Sequence, residues 1–448
     1  MPLAVNQRLK AETLGLPLRV IRKLGEGTQG EVYLAEAEHG KYAVKWYKPE
    51  QATDDQRKAI RYLVTTGPPK GAAGRRFIWP LDLVTSEGAK GFGYLMMYVD
   101  MDRYADLGEV WAHIKPVPNF SALCGISYQL ANSYRALHLS GHCYRDISAG
   151  NLVFDPKTGD VLIGDNDNVG VNRESRCQVW GTMEYMAPEI IRGDSDPSTE
   201  TDLHSLAVLL FYLWCWHHPF HGEMEYSFRC WDIPAKKKVY GEDPVFIFDP
   251  ADTRNRLPDD PDYAIARERW AFLPAAAKAL FLRAFGEGLR NPSARVTEGE
   301  WQRLFLQLRD RIFSCTSCRA ENFLVWDGPD PSCWHCGRPL RYPPQLAITR
   351  TSGLYTIALN VGTRIFVRHI RPFAPEEDLG TVIAEVVPHP AIPGSAGIRN
   401  LSRETWQAEF PDGTETEVLP GKAVPLHNGT VLTIAGIRVS IQQDQEQA

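Results

Sequence analysis

The sequence predicts a multidomain α+β chain in three parts: a large α+β unit, a four-cysteine ribbon and a small all-β sandwich. Three observations predict this. A glycine-rich turn links two apolar runs, Leu18 to Leu24 and Glu31 to Ala35, giving strand, turn and strand. Two Cys-x-x-Cys pairs follow near residue 315, separated by fourteen residues. Beyond residue 345 the chain turns to short alternating or β-branched runs broken by Gly, Pro and Asn. The boundaries read as an extension over 1–17, the large α+β unit over 18–310, the ribbon over 311–342 and the sandwich over 345–443.

Composition narrows the function classes. At 448 residues the chain is long enough for two to four domains with cores of their own. A formal charge of −6 argues against sequence-independent nucleic-acid binding, which needs a basic surface, and no nucleic-acid partner is expected. The first residues, Met1 to Arg8, lack the apolar core of a signal peptide. The longest apolar run, Leu206 to Trp216, is far short of the ~20 residues that span a bilayer, and reads as a buried helix. Cytoplasmic localisation with no membrane partner is the expectation.

The large α+β unit carries its chemistry in order. Gly25-x-Gly27-x-x-Gly30-x-Val32 occupies the strand–turn–strand, where a dinucleotide fold would instead place a helix after the glycines. Glycines let backbone approach phosphate oxygens closely and adopt positive φ. Tyr42-Ala43-Val44-Lys45 reads as a strand ending in a lysine able to pair with phosphates. Tyr144-Arg145-Asp146-Ile147-Ser148-Ala149-Gly150-Asn151 then sets a carboxylate five residues before a carboxamide, and a second carboxylate, Asp165, follows fourteen residues later. Gly181-Thr182 to Ala187-Pro188-Glu189, Asp202 before the apolar helix, and Arg295 complete the series.

Six motifs in this order and spacing resemble the eukaryotic-type protein kinase family, most closely its Ser/Thr branch, over about residues 18–310. The resemblance implies a bilobal protein-kinase fold, with a small lobe over about 18–98 and a large lobe over about 99–310, that binds ATP with Mg2+ or Mn2+ and phosphorylates a protein substrate. It places Gly25, Gly27 and Gly30 over the nucleotide phosphates, with Leu24, Val32 and Ala43 on the adenine. Lys45 would hold the α- and β-phosphates, Asn151 and Asp165 would ligate magnesium, and Asp146 would orient the substrate hydroxyl. Glu189 and Arg295 would form a structural pair, and Asp202 a structural support. Thr182 matches a structural Thr of the family, and Ser175 is a conceivable phosphosite.

The sequence departs from the family pattern at four places. Tyr144 stands where most members have His, and Ser148 where Ser/Thr kinases place a γ-phosphate Lys. Asp165-Asn166-Asp167 replaces Asp-Phe-Gly, so Asn166 cannot be a hydrophobic plug; Asp167 is a second metal ligand or a turn-former. Family members also pair the strand lysine with a Glu on the first helix. The predicted helix here, Thr53 to Leu63, has an N-cap Thr and an acidic first turn but no Glu. Asp54, Asp55 and Gln56 are the groups that could reach Lys45, and each reads more naturally as cap or solvated face.

Five of the nine cysteines, Cys124, Cys143, Cys177, Cys215 and Cys230, are scattered without regular spacing. The other four, Cys315, Cys318, Cys333 and Cys336, form two knuckles that can set four thiolates tetrahedrally around Zn2+. With four positions filled the site would be structural, and His335 is not needed as a ligand. Phe323 to Trp326 reads as a strand and Gly328 to Pro331 as its turn. Metal binding would supply folding energy to so small a fragment.

In the sandwich, strands are expected at Tyr355–Leu359, Thr363–Val367, Val382–Val387 and Thr405–Phe410, with a hairpin over Gly429–Ile441. Asn360-Val361-Gly362, a loop at Gly397 to Ser402 and the closing strands resemble a forkhead-associated domain, without its phosphothreonine-reading residues. Residues 217–275 read as solvated loops with an insertion. Tyr144, the Asp165-Asn166-Asp167 turn and the zinc appendage resemble bacterial signalling kinases of the TerY-phosphorylation triad, encoded beside a cognate phosphatase and a von Willebrand A-type protein. Two functions stay open: an active Ser/Thr kinase, or a nucleotide-binding pseudokinase that recruits partners through its C-terminal modules.

Overall fold

A computed structural model describes residues 2–173, 181–324, 331–351, 353–372, 378 and 380–443. Ser175, Cys177, and the predicted Val325–Trp326 strand end with its turn through Asp330 lie outside the described residues. The chain divides into two compact units, Met1–Phe305 and Leu306–Ala448.

The small lobe of the first unit is a closed six-stranded sheet with order β1-β2-β3-β4-β6-β5. Its strands are β1 (Arg8–Ala11), β2 (Pro17–Glu26), β3 (Gly30–Ala37), β4 (Gly40–Tyr47), β5 (Asp82–Thr85) and β6 (Gly93–Met97). The segment read as an extension supplies β1, which pairs with both β2 and β5 and closes the sheet. The alternation that drives this is visible in Leu9 and Ala11, both buried beside Leu18, Val20 and Trp46. Helix α1 (Asp54–Thr66) starts where Thr53 Oγ1 accepts the Gln56 N–H at 3.1 Å, and it buries Ile60 and Leu63.

The large lobe is organised on the helix Thr199–Cys215, capped by Ser198, whose residues Leu206, Val208, Leu209, Leu210 and Phe211 are fully buried. That is the buried helix expected from the apolar run. Residues 217–275 differ from the solvated loops expected. Phe246 is buried, Phe248 stacks on Trp270 at 4.6 Å, and Asn255 donates to the Phe220 and Val245 carbonyls at 2.9 and 2.7 Å. The Pro/Asp-rich composition hid a packed aromatic layer around Phe211.

The second unit holds a six-stranded and a four-stranded antiparallel sheet that share one apolar core. The predicted hairpin is present as Val431–Ile434 and Ile437–Gln442, joined through positive-φ Ala435 and Gly436. Gly397 to Asn400, expected in a loop, lies in the strand Ala396–Asn400. The Asn400 side chain is buried there, donating to the Glu404 and Val418 carbonyls. Thr363–Val367 is shortened to Arg364–Phe366, because Val367 opens a helical turn through Ile370. The ribbon strands Ile312–Ser314 and Glu321–Phe323 pair, and Phe313 and Leu324 pack on Ala358 of the sandwich. The ribbon thus borrows apolar contact that it has no room to build itself.

Candidate active site

Lys45, near the end of β4, is buried with its ammonium inside a cage of acceptors. Nζ lies 2.9 Å from Asp167 Oδ2, 3.0 Å from Asp167 Oδ1, 3.3 Å from Asp165 Oδ1 and 3.0 Å from Gln29 Oε1. Burial opposes its charge, but the two carboxylates more than offset this and raise its pKa. Asp165 sits in the left-handed region at φ 44°, a conformation that Asp tolerates better than most residues. The turn Asn166–Asn168 follows it.

Asp167 stands in that turn, as the turn reading expects, but its carboxylate points inward. Its side chain is fully buried, and Tyr47 and Tyr94 donate to it at 2.6 and 3.1 Å. Burial and the adjacent Asp167 charge keep both phenols protonated by raising their pKa values strongly. Gln56 of α1 reaches this cluster only through Tyr47, donating to its hydroxyl at 2.9 Å. Asp54 and Asp55 are exposed, and Asp55 pairs with Lys58. Asn166 is buried and donates to the Ile163 carbonyl at 2.8 Å. Aromatic volume nearby comes from Tyr144, packed on Tyr134 and Phe77, whose hydroxyl donates to the Gly164 carbonyl.

The glycine turn closes with Gly27 N–H on the Gly30 carbonyl at 2.8 Å. None of Gly25, Gly27 and Gly30 adopts positive φ. Gly30 is required by close packing, since an added Cβ would stand 2.5 Å from the Trp46 carbonyl oxygen, whereas a Cβ at Gly25 would meet nothing within 4 Å. Gln29 hangs from the turn to Lys45 and donates to Asn168 at 3.1 Å. On the strands behind, Ala43 is buried, Val32 half-buried and Leu24 partly exposed.

Asp146 is fixed on both oxygens. Oδ1 accepts the Thr182 N–H at 2.8 Å and its hydroxyl at 2.9 Å; Oδ2 accepts Asn151 Nδ2 at 3.2 Å, an amide that also bonds the Asp146 carbonyl at 2.8 Å. Burial raises the Asp146 pKa and these hydrogen bonds oppose the rise. Ser148 is buried beside this pair and brings no charge.

Asp202 holds the segment from beneath, accepting the Tyr144 and Arg145 N–H groups at 2.5 and 3.0 Å. His138 bridges Asp202 and Glu298; burial disfavours its charge, but the two carboxylates raise its pKa to about 9. Arg295 grips Glu189 through two 2.8 Å bonds and is almost fully buried. Sequence reasoning did not assign Gln29, Tyr47, Tyr94 or His138. None is a residue that a motif specifies, Gln29 being one of the variable positions of the glycine turn. The folded small lobe brings Gln29, Tyr47 and Tyr94 to the Lys45–Asp167 cluster, and helix packing brings His138 to Asp202.

In the second unit, the sulfurs of Cys315, Cys318, Cys333 and Cys336 all lie within 4.8 Å of one another. The Cys315–Cys336 and Cys318–Cys333 separations are 3.9 and 3.7 Å. Four ligands at ~2.3 Å around a tetrahedral zinc would be roughly 3.8 Å apart, so the donor set and spacing fit that ion. They do not fit disulfides, which need ~2.05 Å.

Fold and site together define a protein kinase domain. The family model described as "Protein kinase domain" matches residues 18–241, half of the chain, and the chain belongs to that family. It is 26% identical over 229 residues to serine/threonine-protein kinase sck2 of Schizosaccharomyces pombe, covering 46% of this chain and 32% of that protein. The cAMP-dependent protein kinase catalytic subunit of Arthrobotrys oligospora is 26% identical over 49% of this chain and 39% of its own length. Serine/threonine-protein kinase AfsK of Streptomyces griseus is 27% identical over 46% of this chain and 25% of its own length. The chain thus spans well under two thirds of these relatives. No helix among the described residues is long and apolar enough to cross a membrane.

Proposed function

We propose that the chain transfers the γ-phosphoryl group of ATP to Ser or Thr hydroxyls of a protein substrate, itself included. The observation that carries this is the fixed Asp146: a carboxylate held by Thr182 and Asn151 on a backbone anchored to Asp202. Asp146 would orient the incoming hydroxyl and take its proton. Lys45 would steady the α- and β-phosphates, and Asn151 with Asp165 would hold magnesium, which supplies neutralising charge to the phosphates. Because the transition state is loose, positioning and charge supply most of the acceleration. Leu24, Val32 and Ala43 would line the adenine, and Gly25 and Gly27 leave room above the phosphates.

The relatives named as Ser/Thr kinases support the hydroxyl class, including AfsK from a bacterium. The four cysteines would hold a structural zinc, and the sandwich would serve as an interaction module. A place in bacterial signalling of the TerY-triad kind, with a cognate phosphatase and a von Willebrand A-type protein as partners, is the finer part of this reading. The test is phosphate incorporation from magnesium-ATP by the full chain against Asp146→Asn. Loss on the order of 10²–10⁴-fold is expected for a positioned acid–base group. Incorporation that Asp146→Asn leaves unchanged would sink the kinase reading in favour of the pseudokinase.

A further inference from the structure

α1 brings no carboxylate to Lys45, yet the ammonium is fully paired, and the partner comes from the opposite side of the cleft. Asp167 approaches Lys45 with both oxygens, at 2.9 and 3.0 Å, while the Asp165 contact is longer and half-exposed. The remaining capacity of the Asp167 carboxylate is taken by Tyr47 on Oδ2 and Tyr94 on Oδ1. Those two tyrosines stand on β4 and β6, neighbours in the sheet that carries Lys45. A buried carboxylate with four short contacts has one rotamer to occupy, and it locks the ammonium it binds.

We propose that Asp167 is the positioning residue for Lys45, doing from the metal turn what a helix carboxylate would do from α1. The inference rests on the kinase reading and assigns to that site the group that aims its lysine. Asp167 lies two residues past Asp165 on one short turn, so Lys45 and Asp165 are set by the same element. Movement of α1 therefore does not assemble or dismantle the lysine pair. The one α1 side chain in the cluster, Gln56, is neutral and touches Tyr47 rather than Lys45. This also excludes Asp167 from the metal-ligand role, because its oxygens face Lys45, Tyr47 and Tyr94 from a fully buried position.

The test is steady-state transfer from magnesium-ATP by the full chain carrying Asp167→Asn, Lys45→Met, or both, with folding followed by circular dichroism. Asp167→Asn is expected to lower kcat by on the order of 100-fold, the usual effect of about 1 Å of misplacement. The magnesium concentration for half-maximal rate should stay unchanged, and the double variant should be no slower than Lys45→Met alone. Asp54→Ala with Asp55→Ala should retain the wild-type rate. If Asp167→Asn fails to fold, Tyr94→Phe takes its place: a several-fold fall in kcat that vanishes in the Lys45→Met background supports the proposal. Losses that multiply in the double variant, a shifted magnesium requirement, or an unchanged kcat would overturn it while wild-type transfer keeps the kinase reading intact. A wild-type chain without transfer overturns both.

Discussion

Individual residues show how far the chain has rebuilt a familiar site with different side chains. Lys45 keeps its place but pairs with Asp167; Tyr144 fills aromatic volume beside a turn whose Asn166 is polar; Ser148 leaves one charge out. Two predictions belong at this scale. Arg295 and Glu189 form a nearly buried bidentate pair, so Arg295→Ala strands Glu189 and should cost about 3–5 kcal/mol in chemical denaturation. His138 holds its proton more tightly folded than unfolded, since the Asp202 and Glu298 carboxylates outweigh burial and raise its pKa from an ordinary 6.5 to about 9. Its contribution is complete below about pH 6.5 and is lost as pH rises through about 9. The stability gap between wild type and His138→Gln, measured by denaturation from pH 6 to 10, should therefore shrink at the alkaline end. A gap that widens with pH would contradict the charged bridge to Asp202 and Glu298.

Single elements decide which parts were legible. The motif residues were readable because their chemistry fixes both type and spacing: Asp146, Asn151 and Asp165 could be placed from sequence, as could the Glu189–Arg295 pair. β1 was not, because Leu9 and Ala11 give an alternation of only four residues, too short to mark a strand within what read as an extension. Asp167 does stand in the Asn166–Asn168 turn, as the turn reading expects, but nothing in an Asp-Asn-Asp string signals that Tyr47 and Tyr94 fold over its carboxylate. The aromatic layer of residues 217–275 was masked by its Pro/Asp-rich spacers. Because β1 closes the sheet, Leu9→Ala should destabilise the first unit by about 2–5 kcal/mol, read from its unfolding transition. In the ribbon, metal analysis should find about one zinc per chain. Cys333→Ser or a strong chelator should release it and raise protease sensitivity near residue 315. A chain purified without zinc whose ribbon resists protease equally would rule out the metal.

Across the whole molecule, a kinase unit is followed by a second unit in which ribbon and sandwich share contacts through Phe313, Leu324 and Ala358. The ribbon is thus physically part of the C-terminal module. Everything functional in the first unit nevertheless turns on whether the cleft moves a phosphoryl group. The most direct measurement is the single-turnover rate of phosphate transfer from magnesium-ATP by the full chain, with Asp146→Asn and Asp165→Asn compared as folded proteins. Measurable transfer by wild type to Ser or Thr is expected, with a fall on the order of 10²-fold or more in each variant. No transfer by wild type, or equal rates in all three, would contradict a phosphoryl-transferring cleft.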